Sequence, residues 1–264
     1  MYDFAYHNPK TLADAVKLLA GDSEAKVLSG GQTLIPTLKM RLAQVTKLVD
    51  LGGVAELKGI KVAGKVLTIG AGTTHAEVAA SADVKKAIPA LASLAGDIGD
   101  AQVRNRGTIG GSIANADPAA DYPAAVLALN ATIKTDKREI KADDFFKGLF
   151  STALAANEIV VSVSFPVPDK AAYVKFPQPA SRFALVGVFV AVFGKAVRVA
   201  VTGAGPHAFR LPGMEDALAK SFKPESLDGR TIETQHMNDD IHATRAYRAH
   251  LVTVIAKRAV TAAG

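Results

Sequence analysis

The sequence predicts an α+β protein that opens with a small α/β unit and closes with a sheet covered by helices. Three observations carry this expectation. Apolar residues recur with helical period in some segments and alternate with period two in others. Two glycine-rich stretches, SGGQTLIP at Ser29–Pro36 and NRGTIGGSIANADPAADYP at Asn105–Pro123, interrupt the regular segments. The last third sets β-rich strands before helices, the order of a sheet covered on one side.

Taken in order, Thr11–Gly21 places Leu12, Ala15, Val16 and Leu19 on one helical stripe, with Thr11 to cap its start and Gly21 to end it. Lys26–Leu28 reads as a strand entering the first glycine stretch, Leu34–Leu42 as a helix, and Lys47–Leu51 as another strand. That order presents the glycines at a strand's C-terminal end, where α/β units bind ligands. Ile60–Val62 and Val66–Ile69 form a predicted hairpin around Ala63-Gly64. Thr74–Ser81 and Pro89–Ile98 read as helices, and Ala124–Thr135 and Glu139-Ile140 as apolar segments around a turn at Asp136-Lys137. Ile159, Val161, Val163 and Phe165 alternate with Val160, Ser162 and Ser164 as a half-buried strand.

The polar, proline-bearing stretch Pro166–Ala172 marks a boundary. Beyond it, Phe183–Phe193 and Ala196–Thr202 are β-rich, while Met214–Phe222 and Ile241–Ala262 read as helices. In the last helix Tyr247, Leu251, Val254 and Ile255 form the apolar stripe; Arg245, Arg248 and Lys257 lie mostly off it, and Asp239-Asp240 suit its N-terminal end. The expected division is 1–56, an α/β subdomain; 57–168, an α+β subdomain; and 169–264, a sheet-and-helix domain.

The 264 residues are 49% hydrophobic and 21% charged, the balance of a soluble globular protein. No apolar run reaches the roughly 18 residues needed to cross a bilayer, and MYDFAYHNPK has no secretory signal pattern, so a cytoplasmic location is expected. With no cysteine the chain holds no iron–sulfur cluster by thiolates, and its six histidines show no metal-ligand spacing. The net charge of +6 is spread among acids, as in KREIKADD at Lys137–Asp144, which reads as a solvated surface and not a nucleic-acid face.

Between Ser29 and Leu38 there is no Lys or Arg, so a pyrophosphate there would rest on backbone N–H groups. Consecutive amides in a glycine turn make an anion-binding concavity, and a following helix adds its positive end. Ser29, Gln32 and Thr33, with Thr108 and Ser112 from the central stretch, can add side-chain hydrogen bonds. Neither stretch is a dinucleotide fingerprint or an NTPase phosphate loop. Plainer readings stand beside these: Gly30-Gly31 as a tight turn, Asp117 and Asp121 as helix caps, His75 as a cap or surface group.

SGGQTLIP followed by GTIGGSIANADPAADYP, with Tyr2-Asp3-Phe4 before and PASRFALVGV (Pro179–Val188) after, resembles the FAD-binding medium subunit of molybdenum hydroxylases, the xanthine dehydrogenase and carbon monoxide dehydrogenase family. The likeness spans essentially the whole chain. It implies an FAD-binding fold of the vanillyl-alcohol-oxidase/PCMH type in two subdomains, followed by the small C-terminal domain. It implies that Lys26, Val27, Leu28, Ser29, Gly30, Gly31, Gln32, Thr33 and Leu34 wrap the pyrophosphate. Thr108, Gly111, Ser112 and Asp121 would contact the FAD, Ile98 and Val160 would lie near the flavin ring, and Gln178 at its polar rim. Ser112 stands where the family more often has Asn, so its contact would be made either directly or through a bridging water that replaces the missing reach.

The same resemblance implies an electron-transfer role with no catalytic side chain and no metal ligand in this chain. The flavin would pass electrons from iron–sulfur clusters to an external acceptor (NAD, a quinone or oxygen), with peripheral membrane association if the acceptor is a quinone. Implied partners are a large molybdenum-cofactor subunit and a small [2Fe-2S] subunit, assembled as a dimer of heterotrimers. Because interface cores are depleted in charge, docking is expected around Ile109, Ile113 and Tyr122. Two rival readings are a self-sufficient FAD-dependent oxidoreductase of the same architecture and a non-enzymatic basic binding module.

Overall fold

A computed structural model describes residues 1–264. Strand and helix alternate first: β1 (Ala5–His7), α1 (Leu12–Leu19), β2 (Ala25–Leu28), α2 (Leu34–Lys39) and β3 (Lys47–Asp50). The strands form an all-parallel sheet in the order β1-β3-β2. The Thr11 hydroxyl caps α1 by accepting from the Asp14 amide at 3.1 Å. Ala15 and Leu19 of α1 pack with Ala25 and Val49, whereas Leu38 of α2 packs with Val45 and Leu48. Leu48 and Val49 are neighbours in β3, so strand alternation sends them to opposite faces, each covered by one helix.

Two 3₁₀ turns lead to β4 (Ile60–Ala63) and β5 (Val66–Gly70). Six short helices follow: α3 (His75–Ala80), α4 (Ala82–Ala87), α5 (Pro89–Gly96), α6 (Ala101–Arg106), α7 (Ile109–Asn115) and α8 (Tyr122–Ala128). The chain returns through β6 (Thr132–Thr135), β7 (Glu139–Lys141), α9 (Ala142–Phe145), the small hairpin β8 (Phe146–Gly148) and β9 (Ser151–Thr152), and β10 (Val160–Pro166). The antiparallel sheet runs β4-β5-β10-β6-β7. Its apolar face and the helices share one core that includes Leu67, Ile69, Leu91, Ile109, Tyr122, Val163 and Phe165.

The rest is a four-stranded antiparallel meander: β11 (Lys170–Pro177), β12 (Ala184–Phe193), β13 (Ala196–Thr202) and β14 (Phe209–Arg210), with α10 (Pro212–Lys220) and α11 (Arg245–Ala263). β12 is buried on both faces. Val186, Val188 and Val190 join the core under α10 and α11, while Phe189 and Ala191 join the core of α5 and α8. The sheet is therefore covered on both sides, its second cover supplied by the preceding segment and not by its own helices. Ten strand residues without a polar side chain are the sequence correlate of that double burial.

Four expectations change. The central glycine stretch is not all loop: residues 109–115 wind into α7 because the Thr108 hydroxyl accepts from Gly111 N at 3.1 Å. Ile109, Ile113 and Tyr122 are fully buried in the core, so they form no docking surface. α11 begins only at Arg245, capped by Thr244, and Asp240 instead accepts from the amides of His242 and Ala243. Arg248 faces inward, 3% exposed, donating to Leu185 O (2.8 Å), Gly203 O (3.0 Å) and Asp240 (2.7 Å), while Tyr247 is exposed.

Candidate functional site

The first glycine stretch leaves β2 and meets the start of α7, and a cleft of about 660 Å³ opens along the seam. One end is walled by residues 26–34 with Gly107, Thr108 and residues 110–112, joined at the Ser29–Thr108 contact, and the other by Ile98-Gly99, Asp121 and the turn Ser181–Phe183. Phe150, residues 154–156 and residues 158–160 also line it.

Backbone geometry builds the first end. The N–H groups of residues 29 to 34 donate to no acceptor in the protein, leaving six consecutive donors at the cleft. Gly31 has φ +74°, the left-handed turn that lets successive amides converge as an anion nest. Gly30 lies against the second stretch: a Cβ there would stand 2.3 Å from Arg106 O and 2.6 Å from Gly107 Cα. The hydroxyls of Ser29 and Thr108 hydrogen-bond at 2.9 Å, tying the two stretches together. By contrast, the amides at the start of α7 are spoken for: Ile109 N donates to Thr73 O, Gly110 N to Ala71 O, and Gly111 N to Thr108 Oγ1. The first stretch thus offers donors, and the second holds them in place.

Buried charge builds the other end. Asp121 is 4% exposed and caps nothing; it accepts from Tyr173 OH at 2.5 Å and lies 3.0 Å from Lys175 Nζ. Burial raises its pKa above the ordinary carboxylate value, while Lys175 and Tyr173 pull it back. Glu158, on the cleft's third side, is held at about 2 by its hydrogen bond from Arg138. His75 is buried, its Nδ1 unpartnered, and loss of solvent with the nearby Arg104 charge lowers it to about 4. It is neither a cap nor a surface group, since Thr74 caps α3.

Lys26, Val27, Leu28, Ser29, Gly30, Gly31, Gln32, Thr33, Leu34, Ile98, Thr108, Gly111, Ser112, Asp121 and Val160 all line this one cleft. Gln178 does not. Its side-chain carbonyl accepts from Ala180 N (2.6 Å) and Ser181 N (2.9 Å), closing the turn that sets Ser181, Arg182 and Phe183 at the cleft. Sequence reasoning missed Tyr173 and Lys175. Their only signal is a pair of polar residues two apart in a strand that is otherwise apolar after its first residue, Lys170, which puts both on one face.

The donor set suits FAD. Six free amides on a stretch that itself carries no Lys or Arg match a pyrophosphate, and the apolar residues Ile98, Val160 and Phe183 in the cleft lining match a flat ring system. No three or more His, Cys, Asp or Glu side chains gather to hold a metal ion.

Comparison with known proteins agrees. A family profile described as the FAD binding domain in molybdopterin dehydrogenase matches residues 2–168. The nicotine 6-hydroxylase medium subunit of Paenarthrobacter nicotinovorans is 36% identical, with 98% of this chain and 96% of that protein aligned. The carbon monoxide dehydrogenase medium chain of Hydrogenophaga pseudoflava is 34% identical over the same shares. A chain in the solved structure of reconstituted CO dehydrogenase from Oligotropha carboxidovorans superposes with a TM-score of 0.91 at 30% identity, covering 99% of this chain and 98% of that one. Fold, cleft and relatives lead to one conclusion: the chain belongs to the family of FAD-binding medium subunits of the molybdenum hydroxylases, oxidoreductases of the xanthine dehydrogenase and carbon monoxide dehydrogenase type.

Proposed function

We propose that FAD lies extended in the cleft, its pyrophosphate on the amides of residues 29–34 and its ring toward Ile98, Val160 and the turn at Ser181–Phe183. The six unpartnered donors carry this reading. Lys26, Val27, Leu28 and Leu34 shape the cradle, and Ser29, Gln32, Thr33 and Ser112 add polar contacts. Thr108 and Gly111 hold the cradle by their mutual bond. Asp121 reaches the cofactor's hydroxyls, and Gln178 acts through its turn. When bound, the flavin supplies the electron chemistry. The protein grips it, orients it and excludes water from its ring, and no side chain moves a proton.

The electron-transfer role of the family then sets the partners: a large molybdenum-cofactor subunit and a small [2Fe-2S] subunit, in a dimer of heterotrimers. The proposed docking surface is the open end of the cleft, where Leu149, Phe150 and Phe183 are 60%, 57% and 47% exposed on turns beside it. The proposed division into 1–56, 57–168 and 169–264 puts both walls of the cradle in the first two parts, supported by the separate sheets. The cytoplasm is the proposed compartment. No helix is long and apolar enough to cross a membrane.

The test is uptake of cofactor. Purified protein should carry one dissociable FAD per chain, released intact by acid or denaturant and taken up again on refolding. Equal affinity for FMN, which lacks the pyrophosphate, would overturn the cradle.

A further inference from the structure

One buried ammonium joins three pieces of the cleft's ring end. Lys175 Nζ donates to Asp97 O at 2.9 Å and to Arg182 O at 3.0 Å, and lies 3.0 Å from Asp121 Oδ1; its side chain is 7% exposed. An ammonium has three N–H donors, and here each has an acceptor from a different segment. Asp97 precedes Ile98, Asp121 opens α8, and Arg182 sits between Ser181 and Phe183. All three segments line the cleft.

The surroundings fit a fixed spacing and not a casual ion pair. Asp97, Ile98 and Gly99 follow the end of α5, where carbonyls lose their helical partners. Lys175 takes the first, and Arg104 takes the next two at 3.1 Å each. Arg182 has φ +61°, a left-handed conformation that a non-glycine residue holds only when its surroundings fix it. Tyr173, on the same face of β11, holds Asp121 from the other side at 2.5 Å.

We propose that Lys175 is a positioning residue for the cofactor: it sets the spacing of the Ile98 turn, the α8 start and the Ser181–Phe183 turn before FAD arrives. This rests on the reading that the cleft holds FAD. Lys175 touches neither the glycine cradle nor, on this proposal, the cofactor itself. Its loss therefore acts on one end of the site only.

The experiment compares Lys175→Met, Asp121→Asn and the double variant, which removes both buried charges and so leaves no unpaired carboxylate to unfold the protein should the single lysine variant fail to fold. In the cofactor-free protein, trypsin should cut after Arg182 at least tenfold faster in both variants lacking Lys175. Asp121→Asn keeps the two carbonyl bonds and should stay within twofold of wild type. The Kd for FAD should rise at least tenfold in the double variant relative to Asp121→Asn, while the Kd for ADP, which needs only the cradle, stays within twofold. A general weakening of the fold would raise both constants. Wild-type protection of Arg182 in the double variant, or equal losses for FAD and ADP, would overturn the proposal. Failure of the wild type to bind FAD would instead sink the cofactor reading, and the cleavage rates would still judge the clamp.

Discussion

Gly30 and Gly31 are adjacent and serve different ends. At Gly30 the constraint is contact: the carbonyl of Arg106 and Cα of Gly107 occupy the space of a side chain. At Gly31 it is conformation, with φ +74° and a Cβ that would meet Ile35 Cγ1 at 2.9 Å. Gly30→Ala should push the two stretches apart and break the Ser29–Thr108 bond, and Gly31→Val should turn the amides away. Both sites are loops, so each variant should keep its circular dichroism and lose at least tenfold in FAD affinity, read by fluorescence titration. Gly111→Val crowds Thr108 Oγ1 at 3.0 Å and should do the same. His75 carries a pH prediction. Its folded value, about 4, lies below the ordinary 6.5, so the unfolded chain binds the extra proton between them. Stability should hold above pH 6.5 and fall as the pH drops toward 4, by on the order of 3 kcal/mol for a shift of this size. Arg104 opposes charging, and Tyr122, also unpartnered, offers no compensating bond. Urea melts of His75→Leu should show a flatter profile over that window.

The alternation read for β10 holds only at Val163 and Phe165. A bulge between Val160 and Ser162 puts Val160 in their core and leaves Ile159 and Val161 with the core of the first sheet. α1 is legible from its stripe and β13 to the residue. α7 is not, because Gly110 and Gly111 weaken helix propensity and hide a cap signalled by Thr108 alone. The same limit explains the site. The glycine cradle announces itself, since few other sequences serve such a backbone, whereas Lys175 looks like any lysine until its three acceptors are seen to come from distant segments. Arg248 reads from the sequence as lying off the buried stripe for a related reason: a cation on an amphipathic helix is assigned to water, but here two carbonyls and Asp240 receive it. Arg248→Met should leave those carbonyls unpaired at a cost of roughly 2–4 kcal/mol. The loss should appear in thermal unfolding. FAD affinity should stay within twofold, because α11 packs on the face of β12 away from the cleft.

For the whole molecule, what the chain lacks decides how it works. Hydroxylation with water needs a metal centre, and delivering single electrons to a flavin needs relay clusters; a chain with no cysteine holds no thiolate-ligated cluster of its own. The FAD-loaded subunit alone should therefore show no molybdenum-type hydroxylase activity toward aldehydes, purines or carbon monoxide, and adding the large and small subunits should restore turnover. Turnover by the lone chain at the rate of the complex would return the self-sufficient oxidoreductase to first place. The contact itself can be tested apart from catalysis. With Ile109, Ile113 and Tyr122 sealed in the core, the proposed contact is the exposed tip between β8 and β9. Leu149 is at that tip and does not line the cleft, so it can report on docking without touching the cofactor. Leu149→Asp places a charge where an interface core excludes one. Size-exclusion chromatography of the reconstituted subunits should show weakened assembly with FAD content unchanged. Full assembly of that variant would move the docking surface elsewhere on the molecule.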